Sequence, residues 1–367
     1  PWVWPTCRPG PCASCSTMAT DAMAGAASAA DATPAAPRIV AAGAGRMGRS
    51  MAVAFAYAGV GVDLLDLKAR DAAGQQAVMA AAEAEIVAHL ETLAELGVLT
   101  GPAGQSAAQV SAQIAARIRF CPLEQAPTVL AAADWVFEGV PEVLDSKREA
   151  FALIETHARP DCIIASTTSS FLSSELATML TRPARFLNAH WLNPAYLIPL
   201  VEVSPHESTD ADVLTRTNAL LARIGKETVT VKASPGYIVP RLQALIMNEA
   251  VRMVEEGVAT PADIDKATRL GFGLRYASMG VLEFVDFGGL DILYYASKYL
   301  AGAVDERRYQ TPELVESLMA QGQTGVRAGQ GLYDWRDKNP DQFRREALGR
   351  FVDLLREQEL INPPVCD

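Results

Sequence analysis

Residues 38–66 read RIVAAGAGRMGRSMAVAFAYAGVGVDLLD, and this stretch decides the fold of the N-terminal part of the chain. An apolar run precedes the motif Gly43-Ala-Gly-Arg-Met-Gly48, a helical segment follows it, and Asp66 closes a second apolar run. In such a unit the first glycine allows a tight turn, Gly45 lets a pyrophosphate approach the backbone, and Gly48 permits close packing of helix on strand. The stretch therefore predicts a strand–helix–strand unit that binds a dinucleotide at its helix N-terminus.

The residues predicted to hold this cofactor lie in the motif and at the end of the second strand. They are Gly43, Gly45, Arg46, Met47, Gly48 and Asp66. Asp66 would accept hydrogen bonds from a ribose diol and repel a 2′-phosphate, which favours NAD over NADP. Lys68 and Arg70 weigh the other way, because basic side chains at this point can bind the 2′-phosphate.

Outward from this stretch, short apolar runs alternate with long helical segments as far as Val231, and only helical patterns follow. This order is typical of an α/β fold, a Rossmann-type doubly wound parallel sheet, with an all-helical C-terminal domain. Strands are predicted at 38–42, 62–65, 135–137, 162–165, 186–189, 200–203 and 228–231, and helices at 46–57, 71–96 and 341–360. A further helix should end at Gly257, and Thr260 should cap the next one.

Three segments are predicted along the chain. Residues 1–36 are expected to be a disordered leader, because they show neither helical nor strand periodicity. Residues 37–232 would form the NAD-binding domain, with an inserted helical pair at about 68–117. Residues 233–367 would form the helical domain for substrate binding and dimerisation.

Composition narrows the class of partner. The chain has 367 residues, a hydrophobic fraction of 50% and a net charge of -11, which argue for packed domains and against nucleic acid or an anionic membrane as partner. A small-molecule substrate is expected instead. Two domains of ordinary size are expected, and the chain is expected to form a homodimer. Scattered Cys121, Cys162 and Cys366 suit a reduced cytoplasmic protein, and no metal site is predicted.

Among the four histidines, His190 stands out. It ends a predicted strand, and Glu202 lies in the next one. Removal of hydride from an alcohol needs a base for the hydroxyl proton, and an imidazole oriented by a carboxylate is suited to that task. Ser169 follows another strand at the carboxyl edge of the predicted sheet, where ligands of this fold bind.

Seven motifs in order resemble the 3-hydroxyacyl-CoA dehydrogenase family, from about Arg38 to Trp335. They are Gly43-Ala-Gly-Arg-Met-Gly48, Asp134-Trp-Val-Phe-Glu-Gly-Val-Pro-Glu142 with Lys147, Ala165-Ser-Thr-Thr-Ser-Ser170, His190-Trp-Leu-Asn-Pro194, Leu200-Val-Glu202, Ser234-Pro-Gly-Tyr-Ile-Val239 and Gly325-Val-Arg-Ala-Gly-Gln-Gly-Leu-Tyr333. The resemblance implies a dehydrogenase of fatty acid metabolism that uses NAD.

The same resemblance implies roles for individual residues. His190 would be the catalytic base and Glu202 its orienting partner, while Ser169 and Asn193 would donate hydrogen bonds near the substrate oxygen and the nicotinamide. It also places three residues beside the cofactor: Glu142, Lys147 and Arg327. Without the resemblance, the favoured interpretation of Glu142 and Lys147 is a solvated pair at a helix start.

The chain departs from the family pattern in its substrate region. Pro240 and Thr167 stand where the family usually has Asn, and residues 71–116 contain no Lys or Arg to bind the phosphates of coenzyme A. By contrast, Gly271-Phe-Gly-Leu-Arg275 resembles the segment of relatives that act on free hydroxy acids, such as gulonate and carnitine dehydrogenases. Arg275 could bind a carboxylate bidentately, or it could be an ordinary surface residue.

Three hypotheses follow. The first is NAD-linked oxidation of a small L-3-hydroxy acid to the 3-oxo acid, and the second is the same reaction on a 3-hydroxyacyl-CoA such as 3-hydroxybutyryl-CoA. The third belongs to another class: a non-catalytic NAD-binding protein with a structural or sensing role.

Overall fold

The computed structural model describes residues 36–99, 101 and 104–361. The chain divides into two compact units, which separate after Ala244. The predicted domain boundary, after residue 232, lies N-terminal to this division. Of the predicted leader, all but Ala36 lies outside the described residues, and so does Cys366.

The first unit contains an eight-stranded sheet in the order β3-β2-β1-β4-β5-β6-β7-β8. Its strands are β1 (Ile39–Ala42), β2 (Val62–Leu65), β3 (Ile118–Cys121), β4 (Trp135–Glu138), β5 (Ile163–Ser166), β6 (Phe186–Trp191), β7 (Leu200–Ser204) and β8 (Glu227–Thr230). The predicted Rossmann-type fold is confirmed.

One pair of strands corrects the expectation of a parallel sheet, because β6 and β7 are antiparallel. Only residues 192–199 connect them, too few for the crossover that parallel neighbours need.

Successive residues of the central strands face opposite sides of this sheet. Ile39 and Ala41 belong to one apolar cluster, which includes Phe55 of the first helix, whereas Val40 and Ala42 belong to the other. Both faces are therefore covered by helices, as a parallel sheet requires.

The helices of the first unit alternate with its strands. They are α1 (Arg46–Tyr57), α2 (Ala72–Glu95), α3 (Ala107–Ala115), α4 (Ala126–Ala132), α5 (Leu144–His157), α6 (Ser173–Ala177) and α7 (Ala211–Arg223). Asp71 caps α2 by accepting from the Gly74 N–H, and Ser106 caps α3 by accepting from the Gln109 N–H. We call α2 and α3 together the arm.

The second unit is helical. Its helices are α8 (Val239–Glu255), which begins before the division, α9 (Pro261–Ala267), α10 (Leu274–Ser278), α11 (Val281–Gly288), α12 (Leu290–Ala303), α13 (Glu306–Tyr309), α14 (Glu313–Ala320) and α15 (Pro340–Glu357). Gly257 has a φ of 71°, and Thr260 caps α9 by accepting from the Asp263 N–H, both as predicted. Within the described ranges, no helix is long and apolar enough to cross a membrane.

Candidate active site

A cleft of about 510 Å³ opens at the carboxyl ends of β1, β2, β4 and β5. Its lining is made by Gly43, Ala44, Gly45, Arg46, Met47, Arg49, Asp66, Leu67, Lys68, Arg70, Val78, Gly139, Val140, Pro141, Glu142, Lys147, Thr167, Thr168 and Ser169. This is the edge of the sheet at which ligands of doubly wound folds bind. The structure thus brings the predicted motif residues other than Gly48 together with Asp66, Glu142, Lys147 and Ser169.

The three glycines of the motif meet different surroundings. Gly43 has a φ of 121°, and a Cβ atom there would lie 2.8 Å from the Gly139 carbonyl oxygen. A Cβ atom on Gly48 would collide with the Gly43 carbonyl oxygen, whereas one on Gly45 would meet nothing within 4 Å. Gly45 is also the N-cap of α1 and gives it no side-chain cap, so the first N–H groups of the helix remain for a phosphate. This cradle fits a dinucleotide pyrophosphate.

Asp66 follows β2 at the rim of the cleft and is 5% exposed. One carboxylate oxygen accepts a hydrogen bond from Arg70 Nε at 2.5 Å, and the other accepts from the Lys68 N–H at 3.3 Å. The carboxylate that would bind a ribose diol is therefore already paired with a guanidinium. Asp66 still disfavours a 2′-phosphate, but two cations stand beside it.

A buried ion pair underlies the turn between β4 and α5. Lys147 is 1% exposed, and its Nζ donates to Glu138 Oε1 at 3.1 Å and lies 3.1 Å from Glu142 Oε2. Glu138 is 0% exposed and also accepts from the Val140 N–H and from Ser166 Oγ. The solvated pair considered for Lys147 is thus not what the structure contains. The sequence did not reveal this role of Glu138, because in the sequence Glu138 is only a residue at the end of a strand.

Glu142 connects this ion pair to the turn after β5. Its carboxylate accepts from the Ser169 N–H at 2.6 Å and from Thr168 Oγ1 at 2.9 Å. Burial raises the pKa of Glu142, but the charge of Lys147 and these hydrogen bonds outweigh it, so the pKa lies below its usual value. Glu142 is held ionised, and the exposed Ser169 is held at the cleft.

His190 and Glu202 are direct cross-strand partners in the antiparallel pair β6·β7. His190 Nδ1 lies 2.9 Å from Glu202 Oε2, and the two side chains are 5% and 0% exposed. Glu202 Oε1 accepts from the N–H groups of Ile238 and Val239 at 2.8 and 2.9 Å. A carboxylate anchored in this way fixes the orientation of the imidazole.

Tyr237 is a site residue to which the sequence assigned no role. Its ring stacks on His190 with centroids 4.7 Å apart, and its hydroxyl donates to the Thr168 carbonyl and accepts from Asn188 Nδ2. Its φ of 47° follows Gly236 in a Pro-Gly turn, a conformation that costs a bulky residue free energy. Burial raises the pKa of the phenol, so the ring stays neutral against the imidazole. The Pro-Gly-aromatic run was the signal that could have pointed to it.

Two family profiles match consecutive parts of this chain. Residues 38–234 match the 3-hydroxyacyl-CoA dehydrogenase NAD binding domain, and residues 236–335 match the C-terminal domain of the same family. The chain belongs to the 3-hydroxyacyl-CoA dehydrogenase family. It is accordingly an NAD-dependent oxidoreductase that acts on a CH–OH group, and the predicted resemblance is confirmed.

Similar proteins in this family include a crystallin and dehydrogenases with different substrates. Lambda-crystallin of Oryctolagus cuniculus is 34% identical over 333 residues, which cover 88% of this chain and 97% of the relative. The 5-formyl-3-hydroxy-2-methylpyridine 4-carboxylate 5-dehydrogenase of Mesorhizobium japonicum is 27% identical, covering 87% and 97%. The solved 3-hydroxyacyl-CoA dehydrogenase of Archaeoglobus fulgidus is 29% identical, with a TM-score of 0.68 and coverage of 89% of this chain and 100% of that one.

The local structure accepts Pro240 and Thr167, which replace the Asn residues usual in the family. Pro240 falls in the first turn of α8, where the missing N–H has no helical acceptor to lose. Thr167 is 8% exposed and lines the cofactor cleft. Asn193 is exposed on the loop that follows His190.

Two predicted site residues lie in the second unit of the family fold. Arg275 is on α10, exposed, with its guanidinium 5.6 Å from the centroid of the Phe284 ring. Arg327 is exposed in a 3₁₀ turn at Val326–Ala328. Among the described residues, no cluster of three or more His, Cys, Asp and Glu side chains could hold a metal ion.

Proposed function

We propose that this chain oxidises the 3-hydroxyl of a small L-3-hydroxy carboxylate to the 3-oxo acid, with His190 as the base. The observation that carries the proposal is the buried His190–Glu202 pair, with Nδ1 and Oε2 2.9 Å apart. NAD supplies the acceptor for the hydride that leaves carbon 3 of the substrate.

His190 would take the hydroxyl proton on its second ring nitrogen. Because Nδ1 faces Glu202, Nε2 is the atom that can accept this proton. Glu202 then stabilises the imidazolium, and the stacked Tyr237 holds the ring plane. A general base of this kind contributes about 10²–10⁴ to the rate. Ser169 and Asn193 would donate hydrogen bonds to the substrate oxygen.

The arm supports a free acid rather than a thioester. Glu83, Glu91 and Glu95 are exposed on α2, and neither helix of the arm contains a Lys or Arg. The phosphates of coenzyme A would find no charge-assisted hydrogen bond there, each worth about 1.5–3 kcal/mol. The exposed Arg275 would instead bind the substrate carboxylate. The pyridine carboxylate named in the Mesorhizobium relative is consistent with a free acid in this family.

The second candidate is the same chemistry on a 3-hydroxyacyl-CoA, which the similarity to the 3-hydroxyacyl-CoA dehydrogenase of Archaeoglobus fulgidus favours. The two candidates are separated by kcat/KM for 3-hydroxybutyrate, carnitine and gulonate against 3-hydroxybutyryl-CoA. We expect the free acids to be preferred, and Arg275→Met to raise their KM at least about tenfold. Arg269→Met, at an exposed arginine six residues earlier in the sequence, is the matched control. A strong preference for the thioester would overturn the free-acid assignment.

His190→Gln tests the base. The variant keeps a polar side chain of similar size but cannot accept the proton, so turnover should fall by at least about 10², while NADH binding measured by fluorescence stays unchanged. Near-normal kcat would remove His190 from the mechanism. NADH binding by the wild type without turnover of any substrate in the panel would instead favour the non-catalytic hypothesis.

We also propose that the chain forms a homodimer through its second unit. A cytoplasmic location and a role in fatty acid metabolism stay predictions.

A further inference from the structure

The loop between β6 and β7, residues 192–199, is held by a buried lysine from another part of the unit. Lys226 precedes β8 and is 6% exposed. Its Nζ donates to the Ala195 and Ile198 carbonyl oxygens, both at 2.7 Å, and lies 5.8 Å from the centroid of the Trp191 ring. One ammonium group therefore bridges two points of the loop that follows His190.

This arrangement is unusual for a lysine. None of the ion pairs found within 4.0 Å among the described residues includes Lys226. Burial without a carboxylate is unfavourable for an ammonium group, and it lowers the pKa of Lys226 to about 8. In the part of the chain that the structure describes, two short hydrogen bonds and the indole face of Trp191 offset this cost.

The same loop is held from the opposite side by the cofactor-binding helix. The Ala195 N–H donates to Ser50 Oγ of α1 at 3.0 Å, and Ala195 is 0% exposed. Within the loop, the Pro194 carbonyl accepts from the N–H groups of Leu197 and Ile198, both at 3.0 Å. The backbone N–H and carbonyl of one residue are thus both fixed by buried side chains, two positions after Asn193.

We propose that Lys226 is a positioning residue, which holds the β6–β7 loop so that Asn193 meets the substrate oxygen beside His190. The proposal rests on the proposed function for the identity of that substrate. Lys226 does not line the cofactor cleft, and it would act through the backbone of Ala195 and Ile198.

Lys226→Met tests this role, because it keeps the length of the side chain and removes the donors. Hydrogen exchange measured by mass spectrometry should be faster in residues 192–199 and unchanged in β1 and α1. The KM for the hydroxy substrate should rise at least about tenfold, whereas the Kd of NADH should stay within about twofold. A merely destabilised enzyme would lose active protein, which lowers kcat and leaves KM unchanged.

Two variants complete the experiment. Lys226→Arg restores donors to the loop and should return KM and exchange towards wild type, and the exposed Lys232→Met is the matched control, with no effect on either. If Lys226→Met does not fold, Ser50→Ala, which removes the opposite hold on Ala195, should give the same faster exchange in the loop.

The failure of this proposal is distinguishable from that of the proposed function. Unchanged loop exchange, unchanged KM, or Lys226→Arg no better than Lys226→Met would each overturn the positioning role. Absence of turnover by the wild type would count against the proposed function alone, because the exchange measurement needs no substrate.

Discussion

At the scale of single residues, the Asp66–Arg70 pair at the rim of the cleft gives a prediction about cofactor choice. Asp66→Ser removes the negative charge and leaves Arg70 and Lys68, both lining the cleft, to bind a 2′-phosphate. We expect kcat/KM for NAD to fall and that for NADP to rise, each by about tenfold or more, since charge-assisted hydrogen bonds are worth about 1.5–3 kcal/mol. Steady-state kinetics with both cofactors measures the change.

The matched control for this prediction is the double variant Asp66→Ser/Arg70→Met. In the double variant, kcat/KM for NADP should fall back from the value of the single variant, and kcat/KM for NAD should remain low. If the double variant used NADP as well as the single one, Arg70 would not be the phosphate ligand.

Lys226 makes stability depend on pH in a defined direction. Its pKa is about 8 when folded, against 10.5 for the ordinary value, so between these values the unfolded chain binds more protons. The penalty on folding is therefore full below about pH 8 and disappears as the pH rises to 10.5. In urea unfolding, wild type should gain free energy of unfolding relative to Lys226→Met between about pH 7 and about pH 10. A constant difference between the two proteins would contradict this linkage.

Which site residues could be found from the sequence depended on how local their signal was. His190 and Glu202 were found because each lies in its own apolar run, and the structure makes them cross-strand partners. Tyr237 and Glu138 were not, because their roles come from a stack on His190 and from a buried lysine. Contacts of that kind arise from tertiary packing and leave no periodic pattern.

At the scale of elements, long or strongly punctuated segments were predicted well. α1 begins and ends at the predicted residues, Arg46 and Tyr57, and β2 covers the predicted 62–65. β3 was missed, because Ile118–Cys121 is a short, partly exposed edge strand. The reversal of β7 was missed too, since apolar runs do not carry strand direction.

The start of α1 offers a paired prediction. Gly45→Ala should leave the fold intact, because the new methyl meets open space, but should weaken NADH binding by about tenfold, because that space is the pyrophosphate cradle. Gly48→Ala should destabilise the first unit by about 1–3 kcal/mol, because the methyl collides with the Gly43 carbonyl. Thermal melting together with NADH titration separates the two effects. Equal losses of stability in the two variants would contradict the assigned roles.

At the scale of the whole molecule, α8 exposes a large apolar surface. Leu245, Met247 and Val251 are 62%, 60% and 58% exposed, and exposed apolar side chains grouped in this way are typical of a protein–protein contact. We expect this surface to be covered by a second copy, so that light scattering gives about twice the 39.2 kDa of one chain.

Substitution of this surface tests the dimer. The double variant Leu245→Asp/Val251→Asp should be a monomer in light scattering. Val87→Asp, at an exposed apolar position on the arm, should remain a dimer. If the wild-type protein sediments as a monomer, the proposal of a homodimer is wrong.

Glu202 has a consequence for reading the history of such chains. One of its oxygens faces His190, and the other accepts from the N–H groups that open α8. A related protein that has become an abundant structural protein of a tissue catalyses no reaction. It would still need a hydrogen-bond acceptor for the N–H groups at that helix start. A glutamate retained at this position in a relative therefore does not by itself indicate catalytic activity. A retained histidine at the position of His190 is the better indicator.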